Sequence, residues 1–379
     1  MAVNKVDING ATVLDLTGDS VTPETLLQGA TAHDASGAAI TGTMVRGTEL
    51  KIIVSVASGA TVTATKGSLS VSGTSVNGTC TLTVPEAGTW SVKATHNGQT
   101  SGTKSVTFTD RYAVTLSFVS AVLNNNDWAT IKAVSDKGEG ANYWSIGDRK
   151  AVTLNGTVGH LTLSNYTTYA FIIGFNHNAN VEGANRIHFQ LAKTALSGGT
   201  DVALCDSSYL SSVSTTGYFS MNSSDTNSGG WKSSQMRTAI CGTSLSSYSG
   251  TILAVIPAAL RAVLKSVTKY TDNTGNSSAA SAVTATTDYF FLLSELEVFG
   301  SITYGNTNEK SKQAQYSYYS AGNSKIKYNH GATSTAVYWS LRSPYARYHT
   351  VFVNVRPNGT DSSDSSAVYS LGFAPGFCV

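Results

Sequence analysis

The chain has little charge, little cysteine and no long apolar run, and each shortage excludes something. Charged residues make up 13% of its 379 positions, about half of the ~25% usual in globular domains, so the surface is largely neutral and rich in hydroxyls. A formal net charge of +2 provides no basic stripe for a phosphate backbone, which argues against nucleic acid as a partner. No apolar run is long enough to span a bilayer, so no membrane insertion is expected. Met1-Ala2-Val3-Asn4-Lys5-Val6-Asp7 lacks the apolar core of a signal peptide. A soluble product made in the cytoplasm is therefore expected. The four cysteines, Cys80, Cys205, Cys241 and Cys378, stand far apart with no CxxC pair. Neither a zinc site nor a disulfide framework is indicated, and free, mostly buried thiols are expected. There is no Gly-rich phosphate loop, GxSxG elbow, HExxH helix or EF-hand loop. No catalytic residue, metal site or cofactor is assigned.

The length suggests two or three domains at about 150 residues each. In the first module, to Arg46, short β-like runs at Ala11–Leu16 and Ala38–Met44 surround a helix start at Thr22-Pro23-Glu24. From Glu49 to Thr109 polar and apolar residues alternate with period two, as in Lys51–Val56, Thr79–Val84 and Trp90–Ala94, with turns at Asn77-Gly78 and Asn97-Gly98. That pattern predicts a small β-sandwich, with Trp90 in its core beside Val92 and Ala94. The rest of the chain mixes helix and strand. Helices are predicted at Ser234–Ile240 and Pro257–Tyr270, the second from a stripe of Leu260, Val263, Leu264 and Val267. Strands are predicted at Tyr169–Phe175, Arg186–Leu191 and Tyr289–Val298. The long loops Ser207–Gly230 and Thr271–Ala282 are candidate carriers of function.

Two small constellations bear on chemistry. His177 and His188 flank Asn178–Ile187 and could reach one site, but two histidines do not complete a metal shell, so structural roles are expected. Glu295 and Glu297, two apart on the predicted strand, would face one side and could serve as acid and base. A salt bridge to an arginine such as Arg342 is the expected use of this pair. The Asn-x-Ser/Thr sequons, such as Asn155-Gly156-Thr157, follow from composition.

The C-terminal segment is the most telling. Tyr338-Trp339-Ser340-Leu341-Arg342-Ser343-Pro344 opens it and Leu371-Gly372-Phe373-Ala374-Pro375-Gly376-Phe377 closes it, around a display rich in Tyr, Arg, His, Asn, Asp and Ser. Tyr338, Trp339, Leu371, Phe373 and Phe377 read as core. Tyr345, Arg347, Tyr348, His349, Asn354 and Arg356 read as a recognition surface, because aromatic and Arg side chains give large contact area at small entropic cost.

Several stretches carry a resemblance. Asn9-Gly10, Thr22–Gly29 and Ala32-His33-Asp34 through Gly42-Thr43-Met44 resemble short modules of phage tail and baseplate proteins, and the sandwich resembles the immunoglobulin-like spacers of phage tails. Asn142–Asp148, Phe171–His177, Gly230–Ser234, Phe291–Glu295, Trp339–Pro344 and Gly372–Phe377 resemble a domain of gut-bacterial and phage proteins. That domain is placed with the C-type-lectin-like, formylglycine-generating-enzyme-like folds of phage tail tips and retroelement-diversified variable proteins. The resemblance implies a multidomain chain: a small N-terminal β module over 1–46 for tail attachment, an immunoglobulin-like β-sandwich over 47–117, and a C-terminal α+β C-type-lectin-like domain over 118–379. It implies a virion protein, a tail fibre or tail-tip adhesin, that contacts other phage tail proteins through its N-terminus and assembles as a homotrimer. Its partner would be a host cell-surface glycan or protein. In the diversified proteins the C-terminal segment is the variable, ligand-binding face. Here that face would comprise Ser340, Tyr345, Ala346, Arg347, Tyr348, His349, Thr350, Phe352, Asn354, Arg356, Asp361, Ser363, Asp364, Ser366 and Tyr369. Diversification of Asn-type codons at adenines cannot yield Lys, Glu, Gln, Met or Trp, and none of the five occurs after Ser340. The active-site cysteine motif of the formylglycine-generating enzymes has no counterpart here, so their oxidase activity is not expected. The alternatives are a tail-associated polysaccharide hydrolase using Glu295 and Glu297, and a purely structural virion protein.

Overall fold

β-strands make most of the regular structure, in several small sheets joined by short helices. The structure is a computed structural model that describes residues 3–26, 28–43, 49–56, 58–96, 99–101, 103–108 and 113–379. The expected Asn97-Gly98 turn, Leu27, Thr109 and the Met44–Arg46 end of the first module lie outside the described residues. The chain divides into two units, Met1–Ser55 with Gly59–Phe118, and Val56–Ser58 with Val119–Val379. Among the described residues no helix is long and apolar enough to cross a membrane.

The first unit opens with the hairpin Lys5–Ile8 and Ala11–Asp15, whose turn residues Asn9 and Gly10 both have positive φ, 50° and 79°. Such a turn matches the twist of the strands it joins, and Asn-Gly supplies it with least strain. The helix expected at Thr22 is a single turn, closed by Leu26 N–H on Thr22 O at 3.0 Å. So few residues before Gly29 cannot repay the cost of helix nucleation. Beyond it, Leu50–Ser55 pairs with Thr79–Val84 and Ala113–Ser117 in one sheet, while Thr61–Lys66, Leu69–Thr74 and Thr89–His96 form the body of another. Their inner faces meet: a Cβ on Gly73 of the second sheet would lie 3.0 Å from Leu82 and 3.1 Å from the Cys80 sulfur of the first. Trp90, Val92 and Ala94 are buried between them as the alternation predicts.

The second unit is built on an antiparallel sheet ordered Arg149–Val158, Leu161–Phe175, Ile187–Lys193, Gly376–Cys378 and Phe290–Phe291. Gly376–Cys378 lies between two other strands, and every residue from Leu371 to Val379 is buried. Ile187–Lys193 is buried throughout, and its alternation sends Phe189 into an aromatic group while His188 and Gln190 meet polar partners. Ring centroids of Trp128 and Phe377 lie 5.6 and 5.3 Å from Phe189, and Phe290 packs on Phe377 at 5.1 Å. All four cysteines are free and buried.

Three expected elements differ. Within Ser234–Ile240 the helix is a π-helical turn, Met236–Cys241, and a separate α-turn at Gly230–Ser233 precedes it. Pro257–Tyr270 holds only the turn Ala258–Arg261, and Val267–Asp272 is a strand paired with Val283–Asp288. Leu260, Val263, Leu264 and Val267 are buried as a helical stripe would be. The β-branched and aromatic run from Val267 to Thr271 follows its Thr-rich partner strand instead. In Tyr289–Val298 only Phe290–Phe291 is extended, and Glu295–Phe299 is a helix started by a capping box. Ser294 Oγ accepts from Glu297 N–H at 3.1 Å, and the Glu297 carboxylate accepts from Ser294 N–H at 2.9 Å.

Candidate recognition surface

The C-terminal segment folds as three antiparallel strands, Trp339–Pro344, Phe352–Val355 and Asp361–Ser362. Pro344 pairs with Phe352, so residues 345–351 form the loop between the first two strands. Much of this loop is exposed. Arg347, Tyr348 and His349 stand in solvent, with Tyr348 60% exposed, and Tyr345, Ala346 and Thr350 are half-buried. Tyr345 rests edge-on against Tyr304, with centroids 5.4 Å apart, and Tyr348 lies on Tyr345 at 5.2 Å. The result is a stack of three rings, from half-buried Tyr304 through half-buried Tyr345 to exposed Tyr348.

The remaining expected residues separate into two groups. At the surface, Arg356 pairs with Asp364 at 3.2 Å, Ser366 Oγ donates to Asp225, and Tyr369 is 38% exposed. Asp361 and Ser363 are half-buried beside them. By contrast Ser340, Phe352 and Asn354 are interior residues and present nothing to solvent. Ser340 and Asn354 face each other across the sheet, because strand alternation turns them inward when Leu341 and Val353 pack on the other side. Trp339, Leu371, Phe373 and Phe377 are core, but Tyr338 is only half-buried, its N–H donating to the Tyr209 hydroxyl at 2.8 Å. Sequence reasoning did not mark Tyr304, Asp225 or Asn227. Asn227 reaches the loop over 118 to 124 positions of chain, a separation no local pattern reveals.

The titratable groups that suggested chemistry are in the core. Arg342 grips Glu297 with two bonds of 2.5 and 2.9 Å, as the expected ion pair, and donates also to Thr271 Oγ1 and Leu292 O. Lys269 Nζ lies 2.7 Å from Glu182, 2.9 Å from Glu297 and 2.8 Å from the Tyr316 hydroxyl. Burial alone would raise the Glu297 carboxyl, but Arg342 and Lys269 hold it well below the usual range. Burial pushes the Glu182 carboxyl up to about 7 against the pull of Lys269. His177 and His188 do meet, with ring centroids 5.5 Å apart. Burial and the nearby Lys269 lower His177 to about 3, so its 3.6 Å contact with Glu182 is made by a neutral ring. His177, Glu182 and Glu297 bring ligand atoms within 4.8 Å of one another. The ammonium of Lys269 already bonds both carboxylates, and a divalent cation there would face an adjacent positive charge. These residues fit an internal ion-pair network better than a metal centre.

Glu295 is likewise committed. Its two oxygens accept from the N–H groups of Thr303, Tyr304 and Gly305 at 2.7 to 3.3 Å, and it is fully buried. On a helix, residues two apart point to different sides, so Glu295 and Glu297 do not form the shared face expected of a strand. A cleft of about 330 Å³ is lined by Val122, Leu123, Asp148, Arg149 and Leu196 among others. Its charged groups are also occupied: Asp148 accepts from Ser145 N–H, and Arg149 donates to Ala195 O and Gly198 O.

Residues 205–379 match the model of a family described as a domain of unknown function, DUF6273. No curated protein and no solved structure matches the chain. The matched region takes in the loop 345–351, Asn227, Lys269, Glu297 and Arg342, and leaves out His177, Glu182 and His188.

Proposed function

We propose that this chain is a receptor-binding protein of a phage tail tip, and that it holds a host cell-surface glycan or protein on the loop 345–351. The observation that carries the reading is the loop itself: Arg347, Tyr348 and His349 are exposed on a short loop whose base is built into the core. Exposed Tyr and Arg on a rigid frame are the usual anchors of recognition. The sequence resemblance supports the wider assignment: a tail-attachment module, an immunoglobulin-like spacer, a C-type-lectin-like head and a trimeric assembly that gains avidity from repeated weak contacts. The surface around the loop is completed by Arg356, Asp361, Ser363, Asp364, Ser366 and Tyr369. Binding rather than hydrolysis is favoured because Glu295 and Glu297 are buried and bonded to structural partners.

The test is binding of the purified chain to intact host cells beside a variant carrying Arg347→Ala, Tyr348→Ala and His349→Ala. Tyr345 is left in place, because its ring packs on Tyr304. Binding weaker by about tenfold or more, with unchanged thermal unfolding, is the expected result. Equal binding by both proteins would overturn the assignment and leave a structural virion role as the better account.

A further inference from the structure

We infer that Asn227 is the positioning residue of the recognition loop, and that the two long loops exist to hold it there. This rests on the reading of 345–351 as the receptor-binding loop. Asn227 lies in the long loop Ser207–Gly230 and is fully buried. Its side-chain NH₂ donates to Tyr345 O at 3.2 Å, Tyr348 O at 2.8 Å and Val351 O at 2.8 Å, and its backbone N–H donates to His349 O at 2.5 Å. One residue thus reaches four carbonyls of the loop, its two side-chain N–H groups shared among three of them, and Val351 O accepts from Tyr345 N–H as well.

The second long loop backs Asn227 from behind. Gly275 sits at φ +75°, and a Cβ there would lie 2.0 Å from the Asn227 carbonyl oxygen, so only glycine permits this approach. The buried Asp272 carboxylate fixes the turn that delivers Gly275, accepting from Thr274, Gly275 and Ser277 N–H at 2.9 to 3.1 Å. The order of support runs from Asp272 through Gly275 and Asn227 to the exposed side chains. A loop held in its bound shape loses less entropy on binding. Asparagine suits the position because it is short and offers two N–H groups toward carbonyls, where aspartate of the same size would offer only acceptors.

The experiment uses the full chain with Asn227→Asp, and Asn227→Ala as a second variant without the added charge. Amide hydrogen exchange is read without receptor, and cell binding is read in parallel. Tyr345 and Ala346 N–H, bonded to Val351 O and Tyr304 O, should exchange at least about tenfold faster in both variants. The amides of Ile187–Lys193 should keep their native protection, which reports an intact core. Cell binding should fall by about tenfold with it. Native exchange rates at Tyr345 and Ala346 in both variants would overturn the inference. Faster exchange with undiminished binding, in these variants and in the Arg347, Tyr348 and His349 triple variant alike, would uphold the latch and sink the receptor-site reading instead.

Discussion

Glu309 places an ionisable carboxyl where, among the described residues, no ion pair neutralises it, although Arg342 attracts it from a distance. It is fully buried, accepting from Asp272 N–H and Gln313 Nε2 at 2.9 Å, and burial raises its carboxyl to about 7 against the pull of those bonds. A carboxyl whose folded pKa lies above its unfolded value adds stability that is whole below the unfolded pKa and is lost as pH rises through the folded one. The window therefore runs from the ordinary glutamate range up to about 7. The loss across it is about 3 kcal/mol at ~1.4 kcal/mol per unit. Glu309→Gln should remove this slope, so the stability of the native chain relative to the variant should fall by that amount between about pH 4 and about pH 8. Urea unfolding of both proteins at the two pH values reads it directly, and parallel pH profiles would show that Glu309 does not titrate on folding. Single residues were legible only where their chemistry speaks locally. Trp90 and the cysteines declared themselves as core, and the Glu297–Arg342 pair followed from opposite charges in an apolar setting. Lys269 had no such signal, because its partners Glu182 and Glu297 are brought to it by separate elements.

At the scale of elements, period-two alternation was a sound guide and helical periodicity was not. Leu161–Phe175 contains the expected strand Tyr169–Phe175 and begins eight residues before it, and Ile187–Lys193 covers all of the expected Arg186–Leu191 but its first residue. The stripe at Leu260, Val263, Leu264 and Val267 misled because burial alone fixes which residues are apolar, while the partner strand Val283–Asp288 decided the conformation. The helix Glu295–Phe299 was there to be read in Ser294-x-x-Glu297, a capping box hidden inside an apolar run that also fits a strand. Its cap does two jobs, since Ser294 Oγ also donates to Gln313 Oε1 at 2.6 Å. Ser294→Ala should therefore cost more than the ~1 kcal/mol of a lost exposed cap, roughly 2 kcal/mol once the buried amide oxygen is left unpaired. Ser294→Thr, which keeps the hydroxyl, should recover most of it. Equal denaturation midpoints for Ser294→Ala and the native chain would mean that the cap contributes nothing net.

For the whole molecule, what matters is where the scarce charge goes. Lys269, Glu182, Glu297, Arg342, Lys193 and Asp201 are drawn into buried networks, and Lys327 sits in the interior with its amine lowered to about 8 by burial. At the proposed recognition face Arg356 and Asp364 cancel each other, which leaves Arg347 as the exposed cation of the loop 345–351. Attraction between a surface so composed and a charged receptor would rest on very few pairs, and exposed pairs are worth about 1 kcal/mol or less. Stacking on Tyr348 and short hydrogen bonds are not screened by ions in the same way. Raising sodium chloride from about 0.05 to about 0.5 M shortens the screening length severalfold, yet the dissociation constant for host cells should change by less than about threefold. A tenfold or larger loss across that range would mean that charge, carried by Arg347 or by residues outside this face, dominates binding. Arg347→Gln separates the two cases, since it should flatten the salt dependence only if Arg347 is the source.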